Sequence, residues 1–236
     1  MNTVKDIQLL LQQSVTIPKE KAAYFFKTGI GDYAESDQFI GVTVPTIRAI
    51  AKKFPALSLE SIQMLLESPI NEERLLALCI LTDQYKKADA QIKEQLYQFY
   101  LHNMRHVNNW NLVDASAHLI IGAHIFKSNR SSLIQLAQSK TMWERRIAIV
   151  ATWYFIRNND LTSTFTIALL LINDTHDLIH KAVGWMLREA GKRDQNALVT
   201  FLDLHASSMP RTMLRYAIEK FPEDIRKNYL MRKNNL

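Results

Sequence analysis

Apolar residues recur every three to four positions along most of this chain, the spacing of one buried face of an α-helix. Ile7, Leu10 and Leu11 fall on one such face, as do Ile47, Ile50 and Ala51 behind Pro45. Leu75, Leu78, Cys79 and Thr82 repeat the pattern, and so do Ile147, Val150, Ala151 and Tyr154. Shorter amphipathic stretches at 59–66, 92–100 and 197–204 lie between the longer ones. Prolines mark edges: Pro45 and Pro210 read as first-turn residues, Pro55 and Pro222 as residues that follow a helical run. Glycine and proline number six each in 236 residues, too few for the tight turns of a sheet-rich protein. The pattern predicts an all-α chain.

The helices also resemble one another. Arg48-Ala49-Ile50-Ala51, Arg74-Leu75-Leu76-Ala77, Arg146-Ile147-Ala148-Ile149, Lys181-Ala182-Val183-Gly184 and Arg215-Tyr216-Ala217-Ile218 each set a cation before a small or aliphatic run. With Val113-Asp114-Ala115-Ser116 counted as a divergent copy, the copies stand roughly 25 to 40 residues apart, the size of a two-helix solenoid repeat. This predicts one domain over 1–236: helix pairs stacked into a curved solenoid, with cations gathered on its concave face at about 10 Å intervals. For any single copy, a solvated cation at a helix start explains the residue equally well.

Composition narrows the function. The formal charge of +6 favours anionic partners. Apolar residues make up 47%, and no apolar run is long enough to span a membrane. The N-terminus lacks the apolar core of a signal peptide. The single cysteine, Cys79, rules out an intrachain disulfide, fits a reducing compartment and reads as a small buried hydrophobe. His102 and His106, and His176 and His180, have i,i+4 spacing but lack the surrounding pattern of a zinc site, so no metal is expected. No glycine-rich phosphate loop or nucleophile elbow is present.

The stretch Asn108-Asn109-Trp110-Asn111-Leu112-Val113-Asp114 is the most informative. It reads as a helix start with a tryptophan and a carboxylate on one face. An acid beside an aromatic on a basic chain suits a polyanion that develops local positive charge, and nucleic acid is the first candidate. Asn111 and Asp114 also have capping-box spacing, which would make Asp114 a helix cap.

Over 24–229 the chain resembles the AlkD family of DNA alkylation-repair glycosylases, which are built from HEAT-like helical repeats. The carriers, in order, are Gly41-Val42-Thr43-Val44-Pro45-Thr46-Ile47-Arg48, Glu72-Glu73-Arg74-Leu75-Leu76-Ala77 and Asn109-Trp110-Asn111-Leu112-Val113-Asp114. Trp143-Glu144-Arg145-Arg146-Ile147-Ala148 and His180-Lys181-Ala182-Val183-Gly184-Trp185-Met186-Leu187-Arg188-Glu189 follow.

The resemblance implies a HEAT-like solenoid that excises cationic N3- or N7-alkylated purines from duplex DNA, without a base-flipping pocket. It implies Asp114 as the carboxylate facing the sugar, Trp110 and Trp185 as its aromatic partners, and Arg146 as the phosphate ligand, with Arg145 as the other choice. Residues Arg145, Lys181, Arg48, Arg74, Arg211 and Arg215 are the expected DNA contacts. The expected protein is a monomeric monofunctional glycosylase without cofactor, cytoplasmic and nucleoid-associated in a bacterium. Trp143 and Trp153 are expected in the core. Two other functions fit the same pattern: a HEAT-type scaffold gripping an acidic partner, and a non-catalytic binder of damaged or branched DNA.

Overall fold

The computed structural model describes residues 3–35 and 37–232. Among these the regular elements are helical, and extended pairing is limited to an isolated parallel bridge between Gln38 and Ile70. The chain divides into two compact units, 1–116 and 117–236.

The first unit contains α1 (Val4–Gln13), α2 (Lys19–Phe26), α3 (Val44–Ala51), α4 (Leu59–Leu66), α5 (Asn71–Lys87), α6 (Ala90–His102) and α7 (Trp110–Ser116). Its hub is α5, which packs against α3, α4 and α7. The reason is local: Leu75, Leu76, Ala77 and Leu78 are consecutive and all buried, so this part of α5 has no polar stripe to turn to water. Side chains close several helix starts. Thr3 and Asp6 form a capping box on α1, Ser58 Oγ accepts from Ser61 N at 3.3 Å on α4, and Asp89 accepts from Ile92 N at 2.9 Å on α6. Tyr100 of α6 is buried with its hydroxyl 3.0 Å from Ser116 Oγ, which in turn donates to Leu112 O at 2.6 Å. Burial pushes the Tyr100 phenol far above the usual tyrosine range, and the Ser116 hydrogen bond offsets this only in part. Helix α2 differs from the rest, with none of its residues buried.

The second unit opens with a π-helical turn, His118–Gly122, in which Gly122 N donates to Ala117 O at 3.0 Å. It continues through α8 (Ala123–Ile125), α9 (Ser131–Ala137), α10 (Met142–Arg157), α11 (Thr162–Leu170), α12 (Asp177–Gly191), α13 (Gln195–His205), α14 (Arg211–Ala217) and α15 (Glu223–Met231). Helices α10 and α12 pack on each other; α9 and α11 flank α10, and α13 and α14 flank α12. Two glycines permit the closest approaches. A Cβ on Gly122 would stand 2.2 Å from Ala151 O, and one on Gly184 would stand 2.4 Å from Met213 O. Pro45 falls in the first turn of α3 as its position suggests, whereas Pro210 stands one residue earlier, at the N-cap of α14; Pro222 follows α14 and is the N-cap of α15.

The repeat is anchored differently from the expected pattern. Arg74 Nη1 donates to Ser68 O at 2.8 Å, and Arg145 Nη1 donates to Ser139 O at 3.0 Å, each six residues back. Each guanidinium also meets an aspartate, Asp37 at 2.5 Å and Asp174 at 2.6 Å. The structural equivalent of Arg74 is therefore Arg145, not Arg146. No helix among the described residues is long and apolar enough to cross a membrane.

Candidate functional site

Trp110 is the first residue of α7 and Asp114 follows one turn later, both half-buried. Asn109, not Asn111, closes this helix start. Its Oδ1 accepts from Trp110 N at 2.7 Å, and its carbonyl accepts from Leu112 N and Val113 N at 3.1 Å. Asp114 thus lies in the second turn, beyond the positions where a side chain caps. The capping-box alternative does not describe it.

A buried polar network sets α7 in register. Asp37 Oδ2 accepts from Asn109 Nδ2 at 2.7 Å and from Asn71 Nδ2 at 2.8 Å, while Asp37 Oδ1 pairs with Arg74 Nη2. Asn71 and Asn111 also exchange side-chain hydrogen bonds, the shorter being Asn111 Nδ2 to Asn71 Oδ1 at 2.7 Å. Sequence reasoning missed Asp37 and Asn71 and took Arg74 for a DNA contact. Asp37 stands in a segment without periodicity and gave no signal, while Asn109 and Asn111 were visible in the motif, Asn111 read only for capping with Asp114. Beside the network, the Glu72 carboxylate accepts from Ile40 N, Gly41 N and Val42 N, with the Gly41 contact at 2.8 Å. This ties the approach to α3 to the start of α5.

One face of Trp110 is lined by rings. Phe26 of α2 stacks on it with centroids 5.0 Å apart and planes 16° apart, and Phe39 stacks on Phe26 at 4.4 Å. Phe25 meets Trp110 edge-on at 5.8 Å. These rings, with Val42, Ile47 and Leu75, line a cleft of about 410 Å³ in the first unit.

In the second unit Arg146 of α10 is buried and its Nη1 donates to Leu178 O of α12 at 2.6 Å. That bond lies two turns before Trp185 on the same helix. Arg145 is turned inward, paired with Asp174 and donating to the carbonyls of Ser139 and Lys140. Trp185 is half-buried and meets Trp153, which is half-buried as well rather than enclosed in the core; Trp143 is also half-buried. His176 and His180 are structural, not merely solvated. His176 Nδ1 accepts from Leu178 N at 3.2 Å and so caps α12, and His180 Nε2 lies 2.5 Å from Asp174 O. Burial first, then the nearby Arg145, holds the His176 imidazole below its ordinary range against the opposing pull of Asp174. Among the described residues no group of three or more His, Cys, Asp or Glu side chains is placed to hold a metal ion.

The recurring cations separate into two groups. Arg48, Arg211 and Arg215 are exposed and Lys181 is half-exposed, in an ion pair with Asp177 at 2.7 Å. Arg211 also donates to Leu230 O at 2.5 Å. Arg74, by contrast, is 4% exposed and held by Asp37. Its expected place on a solvent-facing surface is corrected by that burial. Cys79 is corrected as well: it is partly exposed, beside Arg48.

Comparison with known proteins adds three findings. The family model described as DNA alkylation repair enzyme matches residues 8–221. A solved structure, described as a predicted DNA alkylation repair enzyme from Enterococcus faecalis, is similar over 87% of this chain and 95% of its own. The two share 14% sequence identity with a TM-score of 0.67. Among curated proteins nothing matches.

Proposed function

The chain belongs to the DNA alkylation repair enzyme family, and from that premise we propose an AlkD-type glycosylase that excises N3- or N7-alkylated purines from duplex DNA. The observation that carries this reading is the second-turn placement of Asp114, one turn from Trp110 on the same helix. An alkylated purine is already cationic, so it leaves without a general acid. What the protein must stabilise is the oxocarbenium-like charge that grows on the sugar as the glycosidic bond breaks. A carboxylate at ~4 Å in an effective dielectric near 20 contributes about 4 kcal/mol, roughly a thousandfold in rate, when that charge is absent from the ground state.

Asp114 also orients the attacking water. Trp110 and Trp185 pack against the deoxyribose, and their electron-rich faces favour a cation. Arg146, whose Nη1 meets Leu178 O, is assigned the neighbouring phosphate, which a guanidinium fork matches in geometry. Arg145 is a poorer choice because Asp174 and two carbonyls already fill its fork. The remaining DNA contacts are assigned to Arg48, Lys181, Arg211 and Arg215 on a basic face, and the protein acts as a monomer without cofactor in the nucleoid.

Release of methylated base from alkylated duplex, by wild-type and Asp114→Asn protein, tests the proposal. The variant keeps the shape and loses the charge. It is expected to retain duplex affinity and to lose about three orders of magnitude in single-turnover excision. Excision near the wild-type rate sinks the electrostatic mechanism, and no base release by the wild type sinks the glycosylase reading.

A further inference from the structure

Trp185 is the last ring of a stack that crosses three elements of the second unit. Trp153 of α10 meets it edge to face, with centroids 5.0 Å apart and planes at 61°. Trp153 in turn packs against the imidazole of His118, with centroids 4.5 Å apart and planes at 45°. His118 belongs to the π-helical turn, an irregularity that recurs at functional sites.

The backbone holds these elements close. Gly122, four residues after His118, approaches Ala151 O and Tyr154 Cβ so nearly that any side chain there would collide. Ala151 stands two residues before Trp153 and Tyr154 directly follows it. The turn that carries His118 is therefore seated on α10 beside Trp153. A ring that served packing alone would be enclosed, as Phe155 on the same helix is at 0% exposure. Trp153 and Trp185 instead remain partly open to solvent. Trp153 also follows Arg146 by seven residues, two turns along one face of α10. One helix face thus carries both the proposed phosphate ligand and the support of the proposed sugar contact.

We infer that Trp153, backed by His118, is a positioning residue that fixes the ring of Trp185. This rests on the reading of Trp185 as a substrate contact. A half-exposed indole on a helix has several staggered rotamers open to it. The edge-to-face contact selects one of them, and such aromatic pairs add ~0.5–1.5 kcal/mol beyond burial. Trp153 acts through Trp185 and does not touch the substrate.

The test uses full-length protein carrying Trp153→Leu, Trp153→Phe or His118→Ala, with three measurements. These are the order parameter of the Trp185 indole N–H from nitrogen-15 relaxation, duplex affinity, and single-turnover excision. In Trp153→Leu the order parameter is expected to fall from near ~0.85 to below ~0.6. Excision should drop about tenfold to a hundredfold, because small misplacements at a reacting centre carry losses of that size, while duplex affinity stays within about threefold. Trp153→Phe should restore most of the order and rate. His118→Ala, which removes no contact with Trp185 that the stack geometry records, should loosen the indole by a smaller amount. If Trp153→Leu does not fold, the His118→Ala result decides. A Trp185 indole that stays ordered in the folded variants overturns the inference. Should the wild type release no base, the glycosylase reading fails alone, since the order parameter still decides whether Trp153 positions Trp185.

Discussion

Asn109 donates its side-chain amide to Asp37 at 2.7 Å, joining residues 72 positions apart. The bond fixes where α7 begins and therefore where Trp110 and Asp114 stand. Asp37 is the shared acceptor for Asn109, Asn71 and Arg74, and its side chain is 2% exposed.

Replacing Asp37 by Ala should be severe. It leaves the Arg74 guanidinium buried without its counter-charge and strands two amide donors. Loss of one partner of a buried ion pair typically costs about 3–5 kcal/mol, and the midpoint of urea unfolding should fall accordingly. Removing the cation as well, in Asp37→Ala/Arg74→Met, should recover much of the loss, since an apolar replacement of a whole buried pair is often near neutral. A single mutant as stable as the wild type would show that the network does not hold α7.

The thiol of Cys79 is pushed up to about 11, chiefly by burial, with the nearby Arg48 pulling the other way. Only the thiolate reacts with iodoacetamide. Alkylation of the native protein at pH 8 should therefore be much slower than that of a free cysteine, and should keep accelerating as pH rises through 10. In Arg48→Ala the favourable charge is lost, so the rate at a given pH should fall further. Mass spectrometry of timed samples measures both. Rapid native alkylation at neutral pH would contradict the placement.

His176 caps α12 only while neutral, because its Nδ1 accepts from Leu178 N. Its folded-state pKa is lowered from the ordinary 6.5, with burial the main cause. The sign follows from linkage: a depressed histidine contributes stability that is present above the unfolded pKa and lost as pH falls through the folded one. The amide of Leu178 should thus remain protected from hydrogen exchange at pH 7 and lose protection progressively below 6.5. An NMR titration of His176 at or above 6.5 would refute this.

The helical class was legible because the three-to-four-residue period survives wherever a face is buried, as in Ile47, Ile50 and Ala51 of α3, all buried. The phase of the cations was not. Arg48, Arg74, Arg146 and Arg215 look alike in sequence, yet two are buried and two are exposed. The difference lies in distant partners, Asp37 for Arg74 and Leu178 O for Arg146, which no local pattern announces. Ser68 and Ser139, each six residues before its arginine, were the available clue to the true repeat. Trp153 misled for a related reason: an indole beside apolar residues looks like core until its neighbours, here Trp185 and His118, are known.

That division between buried and exposed cations gives a sharper test of DNA binding than net charge does. Each phosphate contact that releases counterions contributes about −0.9 to the slope of log affinity against log salt. Arg215→Ala and Arg211→Ala should each make the slope shallower by about one unit and weaken all duplex sequences alike, since phosphate carries no base identity. Lys181→Ala should do so to a smaller extent, because an ammonium lacks the planar fork and this one is shared with Asp177. Arg146→Ala should lower excision more than affinity if its phosphate contact also sets the sugar against Asp114. Arg74→Ala should leave the slope unchanged and instead lower the unfolding midpoint, because its charge is already answered by Asp37. Titration of labelled duplex over a salt series, with melting curves for each variant, separates these cases. A flat salt response in the wild type would mean that the exposed cations do not meet phosphates, and would favour a protein partner for them.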